Sequence, residues 1–222
     1  MLFSRKPSTD RGHSPAWRKA AFWICTLIAI AAVARRLLVL AHPVPSGPPD
    51  LRALDHYFLQ HATLTRAHII PALLFVLLAP AVIFRWAKTA WAERALFVLG
   101  AIVGGTAYAM SAHAVGGWTE RSAVLVFNTW FLVSLAIALR YRLQGEDLFK
   151  RLWLVRAVVV LLGIATTRPV MGVFFATSRL THLTPNQFFG IAFWIGFSIN
   201  TIVIEWWLAI HPSRSVARQL AA

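Results

Sequence analysis

The stretch Lys150–Leu208 reads KRLWLVRAVVVLLGIATTRPVMGVFFATSRL and then THLTPNQFFGIAFWIGFSINTIVIEWWL. Two long apolar segments flank a short polar turn. A helix that crosses a hydrocarbon core of about 30 Å needs roughly 20 apolar residues at a rise of about 1.5 Å each, and both segments reach that length. Thr184, Pro185 and Gln187 form a helix start, with a capping threonine, proline at the first helical position and a glutamine three residues after the cap. Arg156, Arg168 and Glu205 lie inside the apolar segments. Charge at membrane depth costs about 2.5–3.5 kcal/mol on insertion scales, so each of these residues needs a partner or a task.

The rest of the chain extends the pattern. The 222 residues are 58% hydrophobic and only 14% charged, against about 25% charged in an average soluble domain. Six apolar blocks take up most of the length and leave no room for a separate soluble domain. The expected fold is all-α: six transmembrane helices in one membrane domain over residues 20–210, with a basic tail at 1–19 and a second tail at 211–222. The expected helices run from about Ala20 to Leu40, Arg66 to Trp86 with a kink at Pro80, Arg94 to Ala114, Ser122 to Tyr141, Leu152 to Ala176 with a bend at Pro169, and onward from Thr184. Helices two to five, residues 66–176, form the expected core bundle. Residues 1–34 also fit a signal peptide, with a basic start, an apolar stretch and Ala32-Val33-Ala34. Arg35 and Arg36 directly after that site, and the apolar sequence beyond them, favour a retained helix. Between the first two helices, Pro48, Pro49 and Asp50 precede Leu51, Leu54 and Phe58 on one helical face. That pattern predicts a short interfacial helix.

The net charge of +14 would suit a nucleic-acid binder, but its distribution excludes that reading. Fourteen Lys and Arg residues, among them Arg5, Lys6, Arg85, Arg140, Lys150 and Arg214, fall on one side of the expected topology. The other side carries Arg52, Arg66, Arg121 and Arg179, plus Arg35 and Arg36 near a helix end. Positive charge gathers on the cytoplasmic side of inner-membrane proteins, so both termini are expected in the cytoplasm of a bacterium, with the lipid bilayer as the main partner and no nucleic acid. The single cysteine, Cys25, excludes an intrachain disulfide and a cysteine metal cluster. Most of the ten tryptophans sit near helix ends as an aromatic belt. Gly100, Gly104, Ala107 and Ser111 form a stripe of small residues that suits close packing, within the chain or in a homo-oligomer.

From about Leu64 the chain resembles a bacterial family of predicted membrane proteins, domain of unknown function 2306. The resemblance rests on LTRAHIIPALLFVLLAP, HAVGGWTE, RLWLVR and ATTRPVMGVFFATSRLTHLTPNQFFGIAFWIGF, and covers residues 64–210. It implies a multi-helix inner-membrane protein without an established activity. Two family histidine positions are occupied here by Glu93 and Lys150, which could pair with each other. An inner-face histidine site of the family is therefore expected to be missing.

No catalytic motif appears in the sequence: no phosphate loop, no HExxH, no GxSxG and no dinucleotide fingerprint. The eight acidic residues lie mostly in expected loops, which argues against a paired-carboxylate hydrolase. Enzymatic activity is not expected. His68 and His113 are placed at one level on adjacent helices and are candidate ligands for a metal or for haem b iron. Bonding to water, lipid headgroups or backbone is the plainer account of them. Arg156 and Glu205 count to the same depth on consecutive antiparallel helices, so an ion pair is expected. Arg168 finds no acid at its depth, because Glu120, Asp50 and Asp55 are assigned to loops. It either bonds the carbonyl freed near Ala165 by Pro169, reaches a loop carboxylate, or holds an anion. Three functions follow: a polar cavity near His68, His113 and Arg168 for a small anion or lipid, a haem or metal redox protein, or a non-catalytic scaffold or sensor.

Overall fold

The computed structural model describes residues 16–42, 49–84, 86 and 90–210. The basic segment 1–15, the Pro-rich residues 43–48 and the tail 211–222 lie outside the described residues, and so does the side chain of Asp50. The described residues are helical throughout, without strands: α1 (Ala16–Ala41), α2 (Pro49–Gln60), α3 (Ala62–Ile83), α4 (Ala90–Ser111), α5 (Gly117–Leu143), α6 (Asp147–Leu161), α7 (Gly163–Thr181) and α8 (Pro185–Ile210). α6 and α7 make one span, so six stretches are long and apolar enough to cross a membrane. Backbone groups in lipid must bond within their own segment, which is why apolar blocks of this length resolve as helices. The chain has a multi-pass membrane architecture.

α5 is central, packed against α4, α6 and α8, while α1 leans on α3 and α7. Phe75, Leu96, Ala123, Phe131, Ala138 and Ala157 fill the middle of the bundle. α8 packs on α5, α6 and α7, so the core extends beyond the expected helices two to five. The small-residue stripe of α4 is used within the chain. A side chain at Gly100 would meet Leu135 at 2.6 Å and Phe75 at 3.0 Å, and Gly104 is pressed against Leu132. This part of the stripe is covered by α5 and α3, which leaves no room there for the second copy envisaged as a homo-oligomer.

The expected bend at Pro169 is displaced. The interruption lies at Leu162, where Ala165 N–H bonds Leu162 O at 2.9 Å, a tighter three-residue spacing. Proline removes the bond that would end on Ala165 O, one turn upstream, and the distortion runs on to Gly163, which is packed on Phe197. Side chains attend to the loosened backbone: Asn200 Nδ2 donates to Val159 O at 2.9 Å and Thr167 Oγ1 to Gly163 O at 2.9 Å. α3, by contrast, continues through both Pro71 and Pro80. At the start of α8, Thr184 N–H donates to Gln187 Oε1 at 3.0 Å, the return half of a capping box.

α3 and α4 each lie three or four residues further towards the N-terminus than the sequence reading placed them. His68 is therefore about 9 Å into α3 by helical rise, while His113 falls in the turn after α4. α5 starts five residues early, at Gly117, which puts Glu120 in its first turn instead of a loop.

Candidate functional site

Two intramembrane arginines of one span are treated in opposite ways. Arg156 on α6 faces α8, where Glu205 lies at matching depth. Its Nε donates to Glu205 Oε1 at 2.6 Å and its Nη2 to Oε2 at 2.9 Å. The guanidinium also lies 4.0 Å over the Trp153 ring. A two-pronged pair with an aromatic backing satisfies the charge inside the fold and leaves nothing for a ligand.

Arg168 on α7 has none of this. Its Nε is shut away from solvent without a hydrogen-bond partner, and its Nη1 reaches only Met171 Sδ at 4.0 Å. Among the described residues it bonds neither Ala165 O nor any carboxylate. The charges near enough to act on it are Arg36, Arg35 and Glu120. Glu120 is a correction to the sequence reading, which saw no acid near Arg168. The early start of α5 brings it in, 8% exposed, but its carboxylate accepts the Gly116 N–H at 2.7 Å. Asp55 on α2 is likewise taken, accepting from Arg35 at 2.8 Å and from Arg36 at 2.7 Å. Among the described residues, Arg35 and Arg36 thus share Asp55, while Arg168 is left without a hydrogen-bonded carboxylate.

Arg168 borders a cavity of about 220 Å³ between α1, α3, α4, α5, α7 and α8. Most of its wall is apolar, with Arg36, His68, His113 and Glu120 among the polar groups. The α2 helix covers this end. Leu54 is buried against Met171, Phe189 and Ala192, Phe58 lies under the Arg36 guanidinium at 4.0 Å, and Tyr57 Oη donates to His113 O at 2.7 Å. The amphipathic pattern of residues 49–60 belongs to a helix docked on the cavity.

His68 and His113 both border the cavity but serve different partners. His68 Nδ1 meets Thr106 Oγ1 at 2.9 Å. That hydroxyl also lies within hydrogen-bond distance of Ile102 O at 2.7 Å and Val103 O at 3.1 Å. The His113 ring is exposed and lies 4.3 Å from that of His61, centroid to centroid. The one-level geometry that would let His68 and His113 share an axial iron is not present. The cavity is also smaller than the roughly 300–1,000 Å³ of pockets for drug-sized ligands, which leaves little space for a macrocycle. Among the described residues no group of three or more His, Cys, Asp or Glu side chains is placed to hold a metal ion.

At the opposite end, Glu93 accepts from Arg142 Nε at 3.0 Å and from Lys150 Nζ at 3.0 Å. Lys150 also donates to Asp147 at 2.7 Å. Glu93 and Lys150 are thus joined to each other, in a neutralised clasp between α4, α5 and α6. Asn128 Nδ2 is spent on Gly104 O at 2.9 Å.

Arg36 and Glu120 were missed as cavity residues by sequence reasoning. Gly116-Gly117 followed by Trp118 and Glu120 carried a usable signal, a helix start with an acid in the first turn. Compared with protein-family models, curated proteins and solved structures, the chain has no match.

Proposed function

We propose that this chain is a bacterial inner-membrane protein, a member of the family it resembles, that binds a small anion or an anionic headgroup at Arg168. The termini face the cytoplasm and the cavity lies towards the outer side, beneath α2. The observation that carries the reading is the state of Arg168: a guanidinium at membrane depth, unpaired among the described residues, on the wall of a largely apolar cavity. Removing a guanidinium from water costs several kcal/mol even after relaxation. The chain offsets that cost at Arg156 with a carboxylate and leaves it open at Arg168. Such a site suits a ligand that brings the counter-charge.

The test is native mass spectrometry of the protein released directly from its membrane, beside Arg168→Gln. The expected result is an anionic adduct on the wild type that the variant lacks. Identical adducts on the two proteins would contradict the reading.

A further inference from the structure

The shape of the cavity says more about the ligand than its charge does. Its wall runs along α3 from Thr65 to Val76 and along α5 from Glu120 to Phe131, eleven residue steps on each helix, or about 16 Å along the bundle by helical rise. Lined over that length, the cavity of about 220 Å³ runs along the bundle as a tunnel. Its length suits an extended hydrocarbon chain.

Most polar groups of the wall lie towards one end and are already spent, and deeper along α5 Asn128 gives its Nδ2 to Gly104 O at 2.9 Å. Thr65 Oγ1 donates to Phe58 O at 3.4 Å, and Ser111 Oγ to Tyr108 O at 2.7 Å. Glu120 is held by Gly116 and Arg36 by Asp55. Arg168 remains with unspent donors. Beyond it the tunnel is bordered by Val76, Phe127, Phe131 and Val160, which offer only dispersion and burial.

We propose that the tunnel seats a single-chain anionic amphiphile, with its carboxylate or phosphate head on Arg168 and its hydrocarbon chain extended towards Phe131 and Val160. This rests on the reading of Arg168 as an anion site and adds the tail. Burying each further methylene strengthens binding by roughly threefold to fourfold until the tunnel is full.

The experiment measures melting temperature in phosphatidylcholine nanodiscs with dodecanoate, dodecyl phosphate, hexanoate, dodecanol or inorganic phosphate added. The wild type, Arg168→Gln and Val76→Phe are compared. Dodecanoate and dodecyl phosphate are expected to raise the melting temperature of the wild type, and hexanoate to need more than tenfold higher concentration. Dodecanol and inorganic phosphate should have no effect. Arg168→Gln should lose the response to every probe, while Val76→Phe, which fills the deep end of the tunnel, should lose dodecanoate and keep hexanoate. If Arg168→Gln does not fold, Val76→Phe and the chain-length series still decide. Inorganic phosphate acting as well as dodecanoate would overturn the tail and leave the anion site standing. Dodecanol matching dodecanoate, or an undiminished response in Arg168→Gln, would overturn both. No response to any probe, with an Arg168-dependent adduct still present by mass spectrometry, would overturn the amphiphile alone.

Discussion

Arg156 and Arg168 lie on one span, twelve positions apart in the sequence, and their difference shows what a charge in a bundle needs. The paired Arg156 is tolerated because Glu205 and Trp153 replace its water. Breaking such a pair at one end strands a charge, whereas removing both ends does not. Glu205→Gln should therefore lower the melting temperature by roughly 4–8 °C, equivalent to about 2 kcal/mol for a chain of this length. The double variant Arg156→Met, Glu205→Met should lie closer to the wild type. Thermal unfolding in nanodiscs checks this, and equal losses in the two variants would contradict it. Counting helical rise from the sequence was enough to bring Arg156 and Glu205 to one depth. It failed for Arg168, because the acid near that residue depends on where α5 begins, and a shift of five residues moved Glu120 from an assumed loop into the bundle.

At the scale of the elements, the helices were legible because apolar blocks bounded by basic residues and capping signals leave few choices. Their ends were less so, and every misplaced site residue traces to an end. The His68–His113 level was lost in this way: α3 starts at Ala62 and α4 stops at Ser111. The docking of α2 was only half legible. Periodicity marked Leu54 and Phe58 as one apolar face, but a membrane surface and a cavity mouth select the same pattern. Contacts between spans depend on small residues that sequence alone cannot assign to a partner. A methyl group on Gly196 would stand 2.6 Å from the backbone nitrogen of Thr167, and backbone cannot swing aside as a side-chain tip can. Nothing lies within 4 Å of one on Gly105. Gly196→Ala should separate α8 from α7 and lower the melting temperature by several degrees. Gly105→Ala should hold or raise it slightly, as alanine is the better helix former by about 0.5–1 kcal/mol. The two variants measured side by side give the answer, and the opposite order would sink the packing account.

For the whole molecule, the proposed topology of six spans would put both ends of the chain on one side, the cytoplasmic side by the count of positive charge. With Cys25→Ser as background, an impermeant maleimide added to intact cells should label Asn186→Cys, at the start of α8, and spare Gln144→Cys, at the end of α5. The reverse pattern would invert the topology and turn the cavity towards the cytoplasm. The division of labour between the two ends also belongs to this scale. At one end Glu93, Arg142, Lys150 and Asp147 close into a neutralised clasp. At the other, Asp55 is taken by Arg35 and Arg36 and Glu120 by Gly116, and Arg168 on the wall of a cavity roofed by α2 has no hydrogen-bonded carboxylate among the described residues. This asymmetry was not visible in the sequence, where the residues involved are scattered from Arg35 to Arg168. The most direct test of the account is an experimental structure of the protein taken with its own membrane lipids, read at the Arg168 guanidinium. An anionic group within about 3 Å of its nitrogens, continuous with density running along the tunnel, is the predicted result. Arg168 turned onto Glu120 in an ion pair, with the cavity collapsed around them, would contradict it.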